Sequence, residues 1–176
     1  MRFTETKLAD VWLVDLERRD DERGFFARSW CREEFASRGL AAQLAQCSFS
    51  YNTYAHTLRG MHYQAAPHAE TKLVTCVRGA IYDVILDLRP SSMTYKSWVA
   101  VELTQTSLRA VYVPDGCAHG FQTLTEGALV YYQISVPHSP DHARGVRWND
   151  PAFDIAWPPG DRIVSARDSA YPDFGG

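Results

Sequence analysis

The sequence predicts an all-β protein, a β-sandwich or jelly-roll barrel with a short helix or two. Three observations support this prediction. Short runs rich in Val, Ile, Tyr and Phe recur along the 176 residues, turns containing Gly, Pro or Asp separate them, and helical periodicity is confined to one short segment. Many short strands with frequent turns are typical of sandwiches and barrels. Because no repeat or linker divides the chain, we expect one domain over residues 1–176.

The first part of the chain predicts a strand, a turn, a helix and a second strand. Residues 11–16 are apolar and β-prone, whereas residues 17–23 are polar and predict a turn. The segment CREEFASRGL at residues 31–40 spaces its large apolar side chains as a helix does and ends near a Gly. Residues 43–54 partly alternate between polar and apolar side chains, which predicts a strand.

Residues 57–89 carry two β-prone runs, separated by the turn Ala66-Pro67-His68, and hold a concentration of ionisable side chains. In the second run, Val84, Leu86 and Leu88 share one face, and the other face is mixed: Ile81, Asp83, Ile85, Asp87 and Arg89. A mixed face lines either solvent, which is the commoner case, or a polar cavity. The cavity is favoured here because His, Lys, Asp and Arg converge, as a site for an anionic substrate requires.

The second half of the chain predicts further short strands, at residues 98–103, 110–113, 121–124 and 128–134. We expect the last two to form a hairpin around Thr125-Glu126-Gly127, and Pro114-Asp115-Gly116 to form a tight turn. From Val136 onward the chain is rich in Pro, Asp and Trp. This predicts an ordered wrap with little regular structure.

Composition excludes several classes of protein. Hydrophobic residues make up 45% of the chain, enough for a core, and the net charge of −3 gives no basic field for nucleic acid. No run approaches the roughly 18 apolar residues of a membrane span, and the N-terminal segment is charged, so we expect a cytoplasmic protein without a membrane partner. The cysteines lack CxxC spacing, which predicts buried free thiols at Cys31, Cys47, Cys76 and Cys117.

The segment VPDGCAHGF has the spacing PxGxxH, which resembles a cupin motif and delivers His119 to the start of a strand. Metal-binding cupins place His-x-His in their first motif, where this chain has His62-Tyr63-Gln64. With one imidazole missing, too few ligands are left to hold a divalent metal well. We therefore expect a site without a metal.

Several longer segments resemble the dTDP-4-dehydrorhamnose 3,5-epimerase family of cupins: RGMHYQ, KLVTCVRG, IYDVILDLR, VPDGCAHGF and RGVRWNDPAFDIAWP. The resemblance spans nearly the whole chain, from DERGFF at Asp21 to SARD at Ser165. It implies a cupin-type jelly-roll barrel that epimerises a nucleotide-linked 4-keto-6-deoxyhexose without a cofactor. It also implies a homodimer in which N-terminal residues such as Arg23 reach the site of the partner subunit.

Epimerisation beside a ketone needs a base, a group that stabilises the enolate, and an acid on the opposite face of the sugar. The resemblance implies that His62 is the base, paired with Asp168, and that Lys72 stabilises the enolate. It places Tyr132 at the position of the acid. An imidazole suits the role of base because it titrates near neutral pH.

The resemblance also implies a set of substrate-binding residues. Arg59 would clamp the diphosphate, for which a guanidinium is well shaped, and His119 would contact sugar or phosphate. His138 stands where the family carries a Tyr that stacks on thymine. The remaining implied contacts are Arg23, Phe26, Gln46, Ser48 and Arg167.

Departures from the family pattern gather among the residues implied to bind the nucleotide. Arg28 stands where the family has an acidic residue, Ala143 stands where it has a Glu, and His138 stands where it has the stacking Tyr. The sequence therefore indicates epimerase chemistry and leaves the base of the nucleotide open. Open alternatives are a mono-epimerase acting at C3 or C5 only, and an epimerase of another nucleotide sugar. A non-catalytic sugar-binding cupin is disfavoured, because a binder needs no base and acid on opposite faces.

Overall fold

The structure, a computed structural model, describes residues 1–175 and is built mainly of short strands. The strands are β1 (Arg2–Glu5), β2 (Trp12–Asp15), β3 (Arg18–Asp21), β4 (Gly24–Ala27), β5 (Gln46–Asn52), β6 (Thr57–Gln64), β7 (Lys72–Arg78), β8 (Ala80–Asp87), β9 (Trp98–Thr104), β10 (Arg109–Val113), β11 (Cys117–Thr123), β12 (Ala128–Ile134), β13 (Ala143–Gly145) and β14 (Ile163–Val164). The helices are α1 (Arg32–Ala36) and α2 (Ala166–Ser169), and Pro140–His142 form a 3₁₀ turn.

Two large sheets form the body of the fold. The first has the strand order β1-β2-β10-β7-β12-β5, and the second has the order β13-β6-β11-β8-β9, with β14 added in parallel to β6. The strands within each of these two orders pair antiparallel, and β3 and β4 form a separate two-stranded ribbon. This architecture confirms the predicted all-β jelly roll with short helices. In the part of the chain described, no helix is long and apolar enough to cross a membrane.

The main core lies between the two sheets. Val74, Val111 and Val130 from the first sheet meet Ile81, Ile85 and Phe121 from the second, all fully buried. The opposite face of β8 is buried too, because its Val84 and Leu86 pack under the C-terminal segment, which contributes Val146, Phe153 and Trp157. The predicted wrap is therefore confirmed, and it covers the outer face of the second sheet.

The predicted hairpin of residues 121–124 and 128–134 is wrong. Strand β11 pairs with β6 and β8 in the second sheet, whereas β12 pairs with β5 and β7 in the first. The turn at residues 124–127 carries the chain from one sheet to the other. Alternating side chains and a Gly-containing turn look the same in sequence whether the two strands pair or cross between sheets.

The predicted polar turn at residues 17–23 is also wrong, because most of it is strand β3, paired with β4 in the ribbon. All four β3 residues are exposed, so no buried face imposed an apolar pattern. The other predicted strands and the helix within residues 31–40 are confirmed, with bounds that differ by up to four residues from those predicted. Strands β1, β4, β13 and β14 were not predicted.

Asp87, on the mixed face of β8, is fully buried. Its carboxylate accepts hydrogen bonds from Arg89 (2.8 and 2.9 Å), Ser92 (2.6 Å) and Thr94 (2.7 Å). Burial pushes the pKa of Asp87 upward, but these donors outweigh it and hold the pKa well below its usual range. Because Arg89 also binds Asp10 at 2.8 Å, Asp87 anchors the N-terminal segment rather than a ligand site.

The cysteines are all free, as predicted, but they differ in burial. Cys76 and Cys117 are buried, and burial raises their thiol pKa values to about 11 and about 12. Cys31 is half-buried and Cys47 is exposed, so the predicted burial is wrong for both. Cys47 lies on β5, an outer strand of the first sheet, two residues before the exposed Phe49.

Candidate active site

A cavity between the two sheets collects most of the residues that the sequence singled out. It has a first lobe of about 260 Å³ and a second lobe of about 340 Å³. Both lobes are lined by His62, His119, Tyr132 and Arg167. Volumes of this size suit a small-molecule ligand.

The walls of the cavity come from different sheets. His62 on β6 and His119 on β11 are direct cross-strand partners in the second sheet. Lys72 on β7 and Tyr132 on β12 belong to the first sheet. The rings of His119 and Tyr132 meet edge to face, with centroids 5.8 Å apart. A ligand between the sheets would therefore have imidazoles on one side and a phenol and an ammonium on the other.

Two glycines allow this arrangement. Gly60 on β6 faces Gly120 on β11, and a Cβ at Gly60 would lie 2.6 Å from the Gly120 Cα. Only glycines permit such a close approach of two backbones. The β6–β11 pairing also shifts register between His119 and Phe121, a local irregularity of the kind that re-aims side chains near sites.

His62 is held by Asp168, which the short helix α2 brings against β6. The His62 Nε2 lies 2.7 Å from Asp168 Oδ1, and the Gly60 N–H donates to Oδ2 at 3.2 Å. Burial pushes the pKa of Asp168 upward, but the contacts with His62, Gly60 and Ser165 together lower it below its ordinary value. An ionised Asp168 only accepts hydrogen bonds, so Nε2 carries a proton and Nδ1 is free to take one up.

Tyr132 is partly buried between the sheets. Burial, assisted by the nearby Asp83 carboxyl, raises the pKa of its phenol well above the usual range. The phenol therefore stays protonated at neutral pH and can donate a proton to a ligand.

Lys72 is almost buried, and its ammonium lies 2.7 Å from the Glu70 carboxylate and 3.5 Å from the His62 carbonyl oxygen. Glu70 lines the first lobe but was not singled out from the sequence. The available signal was its spacing, because residues two apart in an extended segment point to the same side.

His119 has a carboxylate partner of its own. Its Nε2 lies 2.7 Å from Asp83 Oδ1, and Asp83 is fully buried. Burial raises the pKa of Asp83, partly opposed by His119 and Lys72. The mixed face of β8 thus points inward at this residue, and the solvated alternative is wrong here.

The other predicted contacts in the cavity divide between the lobes. Arg59 lines the second lobe, where the Asn52 side-chain oxygen accepts from its Nε at 2.8 Å. Gln46, Ser48 and His138 line the first lobe, and the Gln46 side chain accepts from the His138 N–H at 2.9 Å. The cavity also contains residues that the sequence did not single out: Ser50, Tyr63, Phe121, Arg144 and Ser165.

Arg23 and Phe26 do not line this cavity in their own chain. Arg23 lies in the turn of the β3–β4 ribbon and pairs with Asp21 at 2.5 Å. Phe26 is 68% exposed and borders a separate small cavity of about 100 Å³ near the N-terminus.

The donor set does not fit a divalent metal. Within residues 1–175 there is no group of three or more His, Cys, Asp or Glu side chains that could hold one. Gln64, in the place of the second imidazole, is buried and its amide bonds the backbone at His68 and Ser139 (2.9 and 2.6 Å).

The jelly roll and this cavity define a cupin with the side chains of a general acid–base enzyme. The family model described as dTDP-4-dehydrorhamnose 3,5-epimerase matches residues 5–175. The dTDP-4-dehydrorhamnose 3,5-epimerase of Sinorhizobium fredii is 38% identical to the chain, covering 99% of it and 90% of the relative. The chain belongs to the dTDP-4-dehydrorhamnose 3,5-epimerase family, a family of carbohydrate isomerases.

Two further comparisons agree with this membership. The dTDP-4-dehydrorhamnose 3-epimerase of Streptomyces niveus is 37% identical over 96% of this chain and 81% of its own. A crystal structure of the Bacillus anthracis 3,5-epimerase, with TDP and PPi bound, has a TM-score of 0.94 at 39% identity and covers 98% of this chain and 99% of that one.

The raised pKa of Tyr132 can be measured directly. Ultraviolet titration of the wild type and of Tyr132→Phe should give the same phenolate signal between neutral pH and about pH 11, because the buried Tyr132 does not ionise near the ordinary Tyr value of about 10. Circular dichroism would verify folding across the range. An additional phenolate in the wild type with a midpoint near 10 would contradict the assignment.

Proposed function

We propose that this protein catalyses 3,5-epimerisation of a nucleotide-linked 4-keto-6-deoxyhexose, of the dTDP-4-dehydro-6-deoxyglucose to dTDP-4-dehydrorhamnose type. One observation carries the proposal: His62 and Tyr132 belong to facing sheets and line the same cavity. Inversion at carbon requires proton removal from one face and return on the other. Family membership supports the same reaction.

Proton removal falls to His62. Its free Nδ1 takes the proton from the carbon beside the ketone, and the electron pair of the C–H bond moves to the carbonyl oxygen as an enolate. The imidazolium that forms is stabilised by Asp168, which stays ionised because its pKa is lowered. This partner also fixes the orientation of the ring.

Lys72 and Tyr132 complete the reaction. The Lys72 ammonium stabilises the enolate oxygen by charge and hydrogen bonding. Tyr132, whose pKa is raised by burial and whose phenol is protonated at neutral pH, delivers a proton to the opposite face of the ring. The proton on His62 is then released to solvent, and the Tyr132 phenolate takes up a proton from solvent. The cycle therefore requires no redox or metal step.

Substrate binding uses the cationic and polar residues around the reacting groups. Arg59 and Arg167 are suited to the diphosphate, because a guanidinium binds phosphate oxygens in pairs. Gln46, Ser48 and His138 supply polar contacts in the first lobe and are assigned to the nucleotide end. The His138 ring can stack on a base or hydrogen-bond to it, which leaves the choice of base to experiment.

The division of roles predicts different defects in two variants. With a 4-keto-6-deoxysugar nucleotide in D₂O, His62→Ala should lose deuterium exchange and inversion together, because no proton leaves. Tyr132→Phe should lose inversion far more than exchange, because the enolate still forms. Losses of roughly 10²–10⁴-fold are expected and can be followed by NMR. Tyr54→Phe, on an exposed Tyr outside the cavity, is the matched control.

Equal loss of exchange in both variants would contradict these roles. If the wild type exchanges only the proton at C3, the protein is a mono-epimerase and not a 3,5-epimerase. Binding without any exchange would leave only a sugar-binding cupin.

We further propose a homodimer. The outer face of the first sheet exposes Phe49 (65%) and Val77 (44%), and the Phe49 and Tyr131 rings pack 4.9 Å apart. These residues line an apolar groove of about 560 Å³ together with Phe25 of the β3–β4 ribbon. A second copy on this face would bury the groove, and the ribbon would then be free to bring Arg23 and Phe26 to the partner cavity.

Sedimentation velocity tests the dimer. The wild type should sediment as a dimer at micromolar concentration, and Phe49→Glu should shift it toward the monomer because a charge enters the apolar groove. Ile163→Glu, on the other sheet, is the control and should remain dimeric. A monomeric wild type that still turns over substrate would refute the dimer.

The cytoplasmic location also stays a prediction, supported by the free cysteine thiols.

A further inference from the structure

The ion pair of Lys72 and Glu70 has no role in the reaction as proposed so far. Both side chains are only 9% exposed, and their charged atoms are 2.7 Å apart on the wall of the first lobe. A lysine that stabilises an enolate would be strongest with its positive charge unopposed. Here a carboxylate already occupies one side of the ammonium.

The backbone fixes this pair. Between the two residues, the Thr71 N–H donates to the Ser135 side chain at 2.9 Å, and the Ser135 N–H donates to the Thr71 carbonyl at 3.2 Å. Thr71 is thereby tied to the end of β12, and its neighbours Glu70 and Lys72 project together into the lobe. The backbone at the start of β7 therefore places the two residues side by side, and the burial of both side chains restricts their charged ends to the wall of the lobe.

The electrostatic effect of Glu70 follows from its distance. In a partly desolvated cavity the effective dielectric constant is about 20, so two charges a few ångströms apart interact far more strongly than in water. A negative charge next to the ammonium offsets much of its attraction for a second anion. Lysine has three N–H donors, so Lys72 can still donate one of them to an enolate oxygen while Glu70 holds another.

We propose that Glu70 acts through Lys72, and that its negative charge limits how strongly Lys72 stabilises the enolate. The inference rests on the proposed function, because it concerns the lifetime of the intermediate in that reaction. An enolate stabilised too well forms readily but is a weak base, so Tyr132 and His62 return a proton to it slowly. Glu70 keeps the enolate basic enough for inversion to follow each proton removal.

The proposal predicts a change in how exchange and inversion are coupled. In Glu70→Gln the amide can still accept from Lys72, but the opposing charge is gone. The longer-lived enolate gives the His62 imidazolium more time to exchange its proton with D₂O before the proton returns. Deuterium found in recovered, uninverted substrate, counted per inversion, should therefore rise by about tenfold, which corresponds to about 1.4 kcal/mol.

Two matched variants separate charge from structure. Glu70→Asp keeps the charge and should stay near the wild-type ratio. Glu126→Gln removes an exposed carboxylate in the turn before β12 and should leave both rates unchanged. An unchanged ratio in Glu70→Gln, or equal loss of exchange and inversion, would overturn the proposal, because Glu70 would then only hold Lys72 in place.

A binding measurement tests the same charge balance without a substrate. Oxalate, a small planar dianion, should bind Glu70→Gln about tenfold more tightly than the wild type at low ionic strength, and the gain should vanish in Glu70→Gln/Lys72→Met. Equal oxalate affinity in wild type and Glu70→Gln would overturn the inference. If the wild type exchanges no proton of the sugar, the proposed function fails, and the oxalate series still decides the role of Glu70.

Discussion

The hydrogen bond between His62 and Asp168 is the contact on which the candidate site depends. It joins residues 106 positions apart and ties the C-terminal wrap to β6. The same Asp168 carboxylate accepts from the Gly60 N–H, so one buried side chain orients the imidazole and secures the strand that carries it. The wrap that presents α2 also packs Trp157 and Phe153 on the second sheet. Covering that sheet and orienting His62 are therefore two results of one arrangement.

The jelly roll explains why acid–base groups lie on opposite walls. Successive strands such as β6 and β7, or β11 and β12, belong to different sheets, so motifs close in sequence supply both sides of the cavity. His62 and Lys72, ten positions apart, thus line the same cavity from different sheets. The burial that comes with this position between the sheets also raises the pKa of the Tyr132 phenol further above neutral pH.

Much of this could be predicted from the sequence, because strands, turns and the residues of a motif are local patterns. His62, Lys72, His119, Tyr132 and Asp168 do meet at one cavity as the family resemblance implied. Sheet membership was not predictable, since the turn before β12 looks like a hairpin turn. The exposed β3 escaped prediction because it lacks a buried face. Glu70 was not predicted as a site residue, because its relevance depends on the buried ion pair that it forms with Lys72.

The central claim is that one sugar ring lies between His62 and Tyr132. A crystal structure with a bound nucleotide-linked 4-keto-6-deoxysugar, or an unreactive analogue, tests it most directly. The account predicts the His62 Nδ1 within about 3.5 Å of a ring carbon beside the ketone, a near-attack distance. The Tyr132 hydroxyl should lie at the opposite face and the Lys72 ammonium near the ketone oxygen. A sugar with both side chains on the same face, or bound outside the cavity, would contradict the account.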